Sequence, residues 1–258
     1  MVNALVLAGG AARDLAAEDE SAPKALIDIN GRPMLQFVLD ALAQAEQIES
    51  VTVVLPSSAR DLPVLKKADV VVYSDGSMTE NFYKGLEGVA GREPSEEDRI
   101  LSVTADIPLL TPQAVDDFVK RCEETDAAIC YPIVAKPVIS RQYPQVERTY
   151  MTLREGQFTG GNLFLFDRQT ALRNRDLLRQ VTSARKSPLK LVRMLGLSFI
   201  LRFMFHALTV GGLEEKVSSL VGRRVAAIPT PFVEISMDVD KASDLDLVRS
   251  ELALRGDS

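Results

Sequence analysis

The sequence predicts an α/β fold of three layers, helices on both faces of a mostly parallel mixed sheet, with a helical insertion at about residues 170–222. Three observations carry this. Six short apolar runs rich in β-branched residues alternate with stretches whose apolar residues recur at helical spacing. The 258 residues, 46% of them hydrophobic, are enough to bury a sizeable core and exclude a disordered or fibrous chain. Small and acidic residues cluster just after three of the apolar runs, where an open parallel sheet presents its carboxyl ends to ligands.

The elements follow in order. Residues 4–7 are the first strand, and residues 34–45 set Leu35, Val38, Leu39 and Leu42 on one helical face. Strands over 51–55 and 70–73, a helix over 78–89 and a strand over 100–103 come next. Thr111 before Pro112 reads as an N-cap followed by a proline at the first helical position, where the missing N–H is harmless, so a helix covers 113–122. Strands over 127–131 and 163–166 follow, with a hairpin over 149–162 leading to a second glycine pair. Helices between strands imply βαβ crossovers. No repeat, low-complexity tract or linker divides the chain, so residues 1–258 read as one domain.

Composition narrows the chemistry. A net charge of −6 argues against nucleic-acid binding, which rests on many basic contacts to phosphate, and points to small-molecule ligands. Two cysteines, Cys122 and Cys130, lack the spacing of a zinc site and cannot form a disulfide framework; they read as buried thiols of a reducing, cytoplasmic compartment. The opening residues lack the basic start of a secretory signal. The apolar stretch over 189–208 carries Lys190, Arg193 and Arg202, so no membrane-spanning helix is expected. One histidine, His206, sits among apolar residues and cannot build an imidazole metal site. Chemistry is therefore expected from carboxylates, lysines and backbone amides.

Those groups fall at strand ends. Gly9 and Gly10 follow the first strand, Ser74, Asp75 and Gly76 the third, and Asp106 the fourth. Glycines after a strand let the backbone approach a phosphate and offer amide donors. Neither G-x-x-x-x-G-K-[ST] nor G-x-G-x-x-G is present, which removes the P-loop NTPase and dinucleotide oxidoreductase readings. Asp106 ends an apolar strand and precedes a proline-capped helix; hard divalent cations prefer carboxylate oxygen, and magnesium takes one or two protein carboxylates. Asp238 and Asp240 alternate along a stretch that reads as extended and so point to one side, while Asp244 fits a first-turn helix acid.

The run LAGG, then PKALIDINGRPMLQFVLDAL beginning at Pro23, resembles the N-terminal signature of the MobA-like NTP transferases, which include molybdenum cofactor guanylyltransferases and sugar-phosphate nucleotidyltransferases. The resemblance implies a Rossmann-like fold of the nucleotide-diphospho-sugar transferase type. It also implies Mg2+-dependent transfer of a nucleoside monophosphate from an NTP to a phosphorylated small-molecule acceptor, Mn2+ being an alternative cation. The resemblance implies nucleotide binding by the loop Leu7, Ala8, Gly9, Gly10 and Arg13 and by Lys24, to which the strand-end position adds Ser74, Asp75 and Gly76, with Lys24 and Asp106 catalytic. The family places an arginine four residues after the second glycine, whereas Asp14 stands there and Arg13 comes one earlier. Glu18, Asp19 and Glu20 form an acidic insert expected to point outward. Asp106 with Asp238 or Asp240 would hold the metal, and Gly160, Gly161 and Asn162, with Lys136, the acceptor.

One segment is not absorbed by this reading. Residues 177–213 contain Arg179, Arg185, Lys186, Lys190, Arg193 and Arg202 and no acid, together with LGLSFILRFMF. Basic and apolar residues combined in this way suit a helix at 186–210 that lies on an anionic membrane or lipid at the inner face; the alternative is a helix buried in the core or one that forms a homodimer. Two rivals to nucleotidyl transfer are a glycosyltransferase of related fold and a non-catalytic nucleotide-binding scaffold docked at a membrane.

Overall fold

Strand β1 (Val2–Leu7) is buried on both faces, its Ala4, Leu5 and Val6 fully enclosed, as a central strand of a sheet covered on both sides must be. The computed structural model describes residues 1–10, 15, 23–60, 62–89, 98–184 and 194–256. After the lysine turn at Lys24–Leu26, β2 (Asp28–Ile29) and β3 (Arg32–Pro33) form a small hairpin. Its two-residue turn, Asn30 at φ 53° and Gly31 at φ 86°, has the left-handed conformation that an Asn-Gly pair tolerates best. Then come α1 (Met34–Gln44), β4 (Ile48–Leu55), β5 (Val70–Tyr73), α2 (Met78–Gly88), β6 (Arg99–Thr104) and α3 (Pro112–Glu123).

The second half contains β7 (Ile129–Ala135), α4 (Lys136–Gln142), β8 (Met151–Leu153), β9 (Gly156–Gly160) and β10 (Leu163–Asp167). Helices α5 (Arg168–Arg173), α6 (Arg175–Ala184), α7 (Leu197–Met204) and α8 (Val210–Val221) follow among the described residues, before β11 (Val225–Pro229) and the last helix α9 (Ala242–Arg255). Each strand and helix expected between residues 4 and 166 is present within a few residues. The edge strand β11 is an addition.

Strands β5, β4, β1 and β6 lie side by side and parallel. The direction then reverses: β10 runs antiparallel between β6 and β7, and β11 flanks the other side of β7 in parallel. Ile133 pairs with Pro229 of β11 on one side and Gly160 of β9 on the other, so β9 and β10 follow the same side of β7 as one bent strand. Between the pairs Ile133–Gly160 and Cys130–Leu165 that strand carries two extra residues, which bulge out at Gly161 and Asn162. Bulges of this kind re-aim backbone beside a functional edge.

Helices α1 and α3 cover one face of the sheet, where Leu35, Val38, Leu42, Val115 and Phe118 pack on Ala4, Val6 and Val53. The other face packs Leu5, Val54 and Ile100 against Tyr83 and Leu86 of α2. A third cluster, Met34, Phe37, Ile139, Met237, Val239 and Val248, binds α9 and the segment before it to α1 and α4. Cys122 and Cys130 are buried free thiols, as expected. No helix among the described residues is long and apolar enough to cross a membrane.

Candidate active site

At the carboxyl end of β1 the chain leaves the sheet at Ala8, whose N–H donates to the Val54 carbonyl, and becomes solvent-exposed at Gly9 and Gly10. The backbone N–H of Lys24 donates to the Gly10 carbonyl at 2.7 Å, so the glycine loop and the lysine turn are tied together directly. A side chain on Gly9 would meet the Asn81 amide at 2.8 Å. Asn81 is itself held by the buried Ser74 hydroxyl, which donates to its Oδ1 at 2.7 Å. The ends of β1 and β5 thus meet through α2, whose N-terminus Ser77 caps by accepting from the Glu80 N–H.

Lys24 reaches across the sheet edge. Its Nζ lies 2.6 Å from Asp106 Oδ2 and 2.7 Å from Asp240 Oδ1, although the lysine itself is only 8% exposed. Burial alone would lower its pKa, but the two carboxylates outweigh that effect and raise it above the ordinary lysine value, so it is a cation at neutral pH. Asp106 is oriented from within its own turn: the Thr104 hydroxyl donates to its Oδ1 at 2.6 Å.

The C-terminal acids reach this point differently from the sequence expectation. Residues 235–240 are not an extended strand; Val233–Ser236 form a 3-10 turn, and Met237 to Asp240 follow as irregular chain. Two contacts hold them in place. The Val239 N–H donates to the Asp106 carbonyl at 2.9 Å, and the bulge residue Asn162 donates its N–H to the Ile235 carbonyl at 2.9 Å. One oxygen each of Asp106, Asp238 and Asp240 therefore lies within 4.8 Å of the others. Asp244 stays apart as a helix cap, its carboxylate accepting from the N–H groups of Asp240 and Lys241, as its first-turn position suggested.

Arg148, from the irregular chain between α4 and β8, completes the cluster. It donates to Asp238 Oδ1 at 2.8 Å and to the Asp238 carbonyl at 3.0 Å. Burial nevertheless pushes the Asp238 carboxyl up to about 6, Arg148 opposing and Asp240 and Asp106 adding to the rise. Burial raises Asp240 too, but hydrogen bonding with Lys24 and Asp238 and the charges of Lys24 and Arg148 together outweigh it and hold that acid below the usual range. The set of three carboxylates, hard oxygen donors on converging backbones, fits a hard divalent cation such as Mg2+ or Mn2+.

The remaining sequence candidates divide. Gly9, Gly10, Ser74 and Gly76 line the same edge, beyond Leu7 at the end of β1 and Ala8 after it. Asp75 turns instead to Ser57, whose hydroxyl and N–H lower its pKa, and so it ties two loops together. Gly160 and Gly161 stand in close-packed surroundings: a Cβ would lie 1.6 Å from the Tyr131 hydroxyl at the first and 2.4 Å from Ile235 at the second. The Asn162 side chain also turns to the Ile235 carbonyl, at 3.4 Å. Lys136 is exposed, its ammonium over the Tyr150 ring at 5.3 Å. Arg13 and the acidic insert at Glu18, Asp19 and Glu20 lie outside the described residues. Sequence reasoning missed Arg148, Thr104 and Asn81. Of these only Thr104, two residues before Asp106, carried a local signal.

Comparison with known proteins adds the following. A family model described as MobA-like NTP transferase domain matches residues 4–193. A probable molybdenum cofactor guanylyltransferase from Thermococcus kodakarensis is 33% identical over 127 residues, 49% of this chain and 57% of that relative, so the match spans little more than half the relative's length. A hypothetical transferase from Thermus thermophilus has a similar structure at TM-score 0.80 and 32% identity, covering 95% of this chain and all of that one. A 2-C-methyl-D-erythritol 4-phosphate cytidylyltransferase, also from Thermus thermophilus, shares the fold at TM-score 0.57 and 17% identity, over 98% of both chains.

Proposed function

The chain belongs to the MobA-like NTP transferase family, and from that we infer that it moves a nucleoside monophosphate from an NTP to a phosphorylated small-molecule acceptor. One observation carries the reading beyond family membership. A single buried lysine bridges two aspartates from distant parts of the chain, immediately beside a glycine loop at the carboxyl edge of the sheet. That is where open α/β sheets bind nucleotides, and the residues supply both signs of charge the reaction needs.

In this reading an oxygen of the acceptor phosphate attacks the NTP α-phosphorus and forms a new P–O bond. The bond to the bridging oxygen breaks, and pyrophosphate leaves with its electron pair. The acceptor is already an anion at neutral pH, so no protein base is required. Positioning and charge stabilisation can supply most of the rate. Asp106, Asp238 and Asp240 would hold a divalent cation, which when bound supplies Lewis-acid neutralisation of the phosphate oxygens. Exposed backbone at Gly9 and Gly10 offers amide donors to the triphosphate. Lys24 shares its carboxylates with any such cation, so its ammonium is free to turn to the phosphates once they arrive and to balance charge on the leaving pyrophosphate.

The test is pyrophosphate release from each NTP, with Mg2+ or Mn2+, against a panel of phosphorylated sugars and alcohols. Release is expected with one nucleotide strongly preferred. Tight nucleotide binding with no release for any pairing overturns the reading.

A further inference from the structure

Tyr131 of β7 and Phe164 of β10 form a stacked pair on the sheet, their ring centroids 4.8 Å apart and their planes 24° from parallel. Ile129 and Phe166, on the same two strands, belong to the face that α2 packs against, and alternation sets Tyr131 and Phe164 on that face too, one step nearer its carboxyl edge. There the cover ends. Phe164 is 41% exposed on a strand whose Leu163, Leu165 and Phe166 are all buried. Apolar ring surface left open beside a few polar groups is how small-molecule sites are commonly lined.

The pair adjoins the acidic cluster. Burial, and after it the charge of Asp238, raises the Tyr131 hydroxyl above the ordinary tyrosine pKa, so it is a protonated donor at neutral pH. Among the described residues that hydroxyl has no hydrogen-bond partner, although a tyrosine withdrawn from solvent normally finds one. Gly160 makes room for it, since a Cβ there would stand 1.6 Å from the hydroxyl oxygen. The bend from β9 into β10 therefore leaves a donor and an open ring side by side.

Position in the sheet says what they meet. Strand β7 lies three places from β1, roughly 14 Å, on the side away from β4 and β5. Gly9, Gly10, Ser74 and Asn81 belong to the β1–β5 side, where the triphosphate is expected. In-line transfer brings the acceptor from opposite the leaving pyrophosphate, which is the side of β10 and β7. The exposed apolar tip of α7 is a different case, adjoining a basic run whose Arg185, Lys186, Lys190 and Arg193 lie outside the described residues. Tyr131 and Phe164 need none of those residues.

We propose that Tyr131 and Phe164 form the acceptor subsite, the Tyr131 hydroxyl donating to an acceptor phosphate oxygen while the stacked rings hold an apolar body attached to that phosphate. The acceptor class is then a phosphate monoester of an aromatic or aliphatic alcohol, as opposed to that of a polyol. The assignment rests on the nucleotidyl transfer reading for what the bound phosphate does next.

Ligand-observed NMR titration of the whole protein with phenyl phosphate, hexyl phosphate and glycerol 3-phosphate reads binding without turnover. Both apolar esters are expected to bind at least tenfold more tightly than glycerol 3-phosphate, and the tighter of the two tells ring from chain. Phe164→Ser should remove the preference, and Phe164→Leu should keep it for hexyl phosphate. Tyr131→Phe should weaken all three esters about tenfold, with NTP binding unchanged. Phe164 is exposed and Tyr131→Phe removes only an unbonded hydroxyl, so circular dichroism melts are expected to match the parent. Equal affinity for the three esters, no binding of any of them, or parental affinities in Phe164→Ser and Tyr131→Phe overturns the proposal. Lost NTP affinity in Phe164→Ser overturns it in favour of the nucleobase as the occupant of the stack. Pyrophosphate release separates the two readings. Apolar esters bound as expected but never turned over with any NTP overturn the transfer reading alone, whereas release with glycerol 3-phosphate that Phe164→Ser leaves unchanged overturns the subsite alone.

Discussion

Arg148 grips Asp238 twice, through the carboxylate at 2.8 Å and the backbone carbonyl at 3.0 Å, while the neighbouring Asp240 is held by Lys24 at 2.7 Å. The two C-terminal acids, separated by one residue, are therefore oriented by different cations from different parts of the chain. Arg148 acts on Asp238 as a positioning residue. Arg148→Gln is expected to weaken Mn2+ binding to the protein by about tenfold or more, and Arg148→Lys to recover only part of the loss, because an ammonium cannot reproduce the two-point hold of a guanidinium. Electron paramagnetic resonance of Mn2+ reads this without turnover. Unchanged affinity in both variants rejects the role.

Lys24 occupies the carboxylate oxygens that a divalent cation would use. Removing it should therefore have opposite effects on two measurements. Lys24→Ala is expected to tighten Mn2+ binding to the nucleotide-free protein, because a competing cation is gone. The same change should lower kcat by about 10²–10³-fold, the usual cost of losing one charge-stabilising donor. Weaker Mn2+ binding together with lower kcat points instead to a lysine that merely organises the acids.

Burial sets the pH behaviour of Asp238, whose pKa of about 6 in the fold exceeds that of an unfolded chain. A proton on this group therefore stabilises the fold. That stabilisation is complete below the ordinary carboxylate range and is lost as pH rises through about 6. A cation needs the ionised oxygens, so binding must expel the proton. Mn2+ affinity should then fall by up to about tenfold for each pH unit below about 6, and Asp238→Asn should flatten that dependence. A parent profile already flat between about pH 5 and 7 contradicts it.

Gly161 tests whether the second glycine pair acts on the acceptor or on the fold. A Cβ there would lie 2.4 Å from Ile235 Cγ2 and 2.8 Å from Pro132 Cγ, inside a well-packed region. Gly161→Ala is expected to destabilise the protein by about 1–3 kcal/mol, as overpacking commonly does. In thermal melts that means a Tm lower by several degrees. A variant with parental Tm but a raised KM for the acceptor restores the acceptor role to this position.

Most of the fold was legible because each element announces itself locally. The enclosed Ala4 to Val6, the helical spacing of Leu35, Val38 and Leu42, and the Thr111–Pro112 start need no distant partner to be recognised. Strand direction is different. A short apolar run identifies β10 as a strand but does not say that it runs antiparallel to β6, which depends on its pairing with β6 and β7 far away in sequence. The same distinction holds at the site. Lys24 and Asp106 each follow a strand or motif, whereas Arg148 sits in irregular chain with its partner 90 residues away. Asp238 and Asp240 were drawn to the right side for the wrong reason: a turn and two long-range hydrogen bonds, rather than strand alternation, bring them to Asp106.

Those two bonds, Val239 to the Asp106 carbonyl and Asn162 to the Ile235 carbonyl, give the cluster a history in time. A chain emerging from the ribosome makes the glycine loop and Lys24 early and Asp106 midway, but Asp238 and Asp240 are translated long after. Until they dock, the lysine has only one of its two carboxylates, and the acids that would hold a cation are not assembled. A growing chain can build its sheet long before it can own a metal site, so any premature stop near residue 230 leaves a shape without a centre.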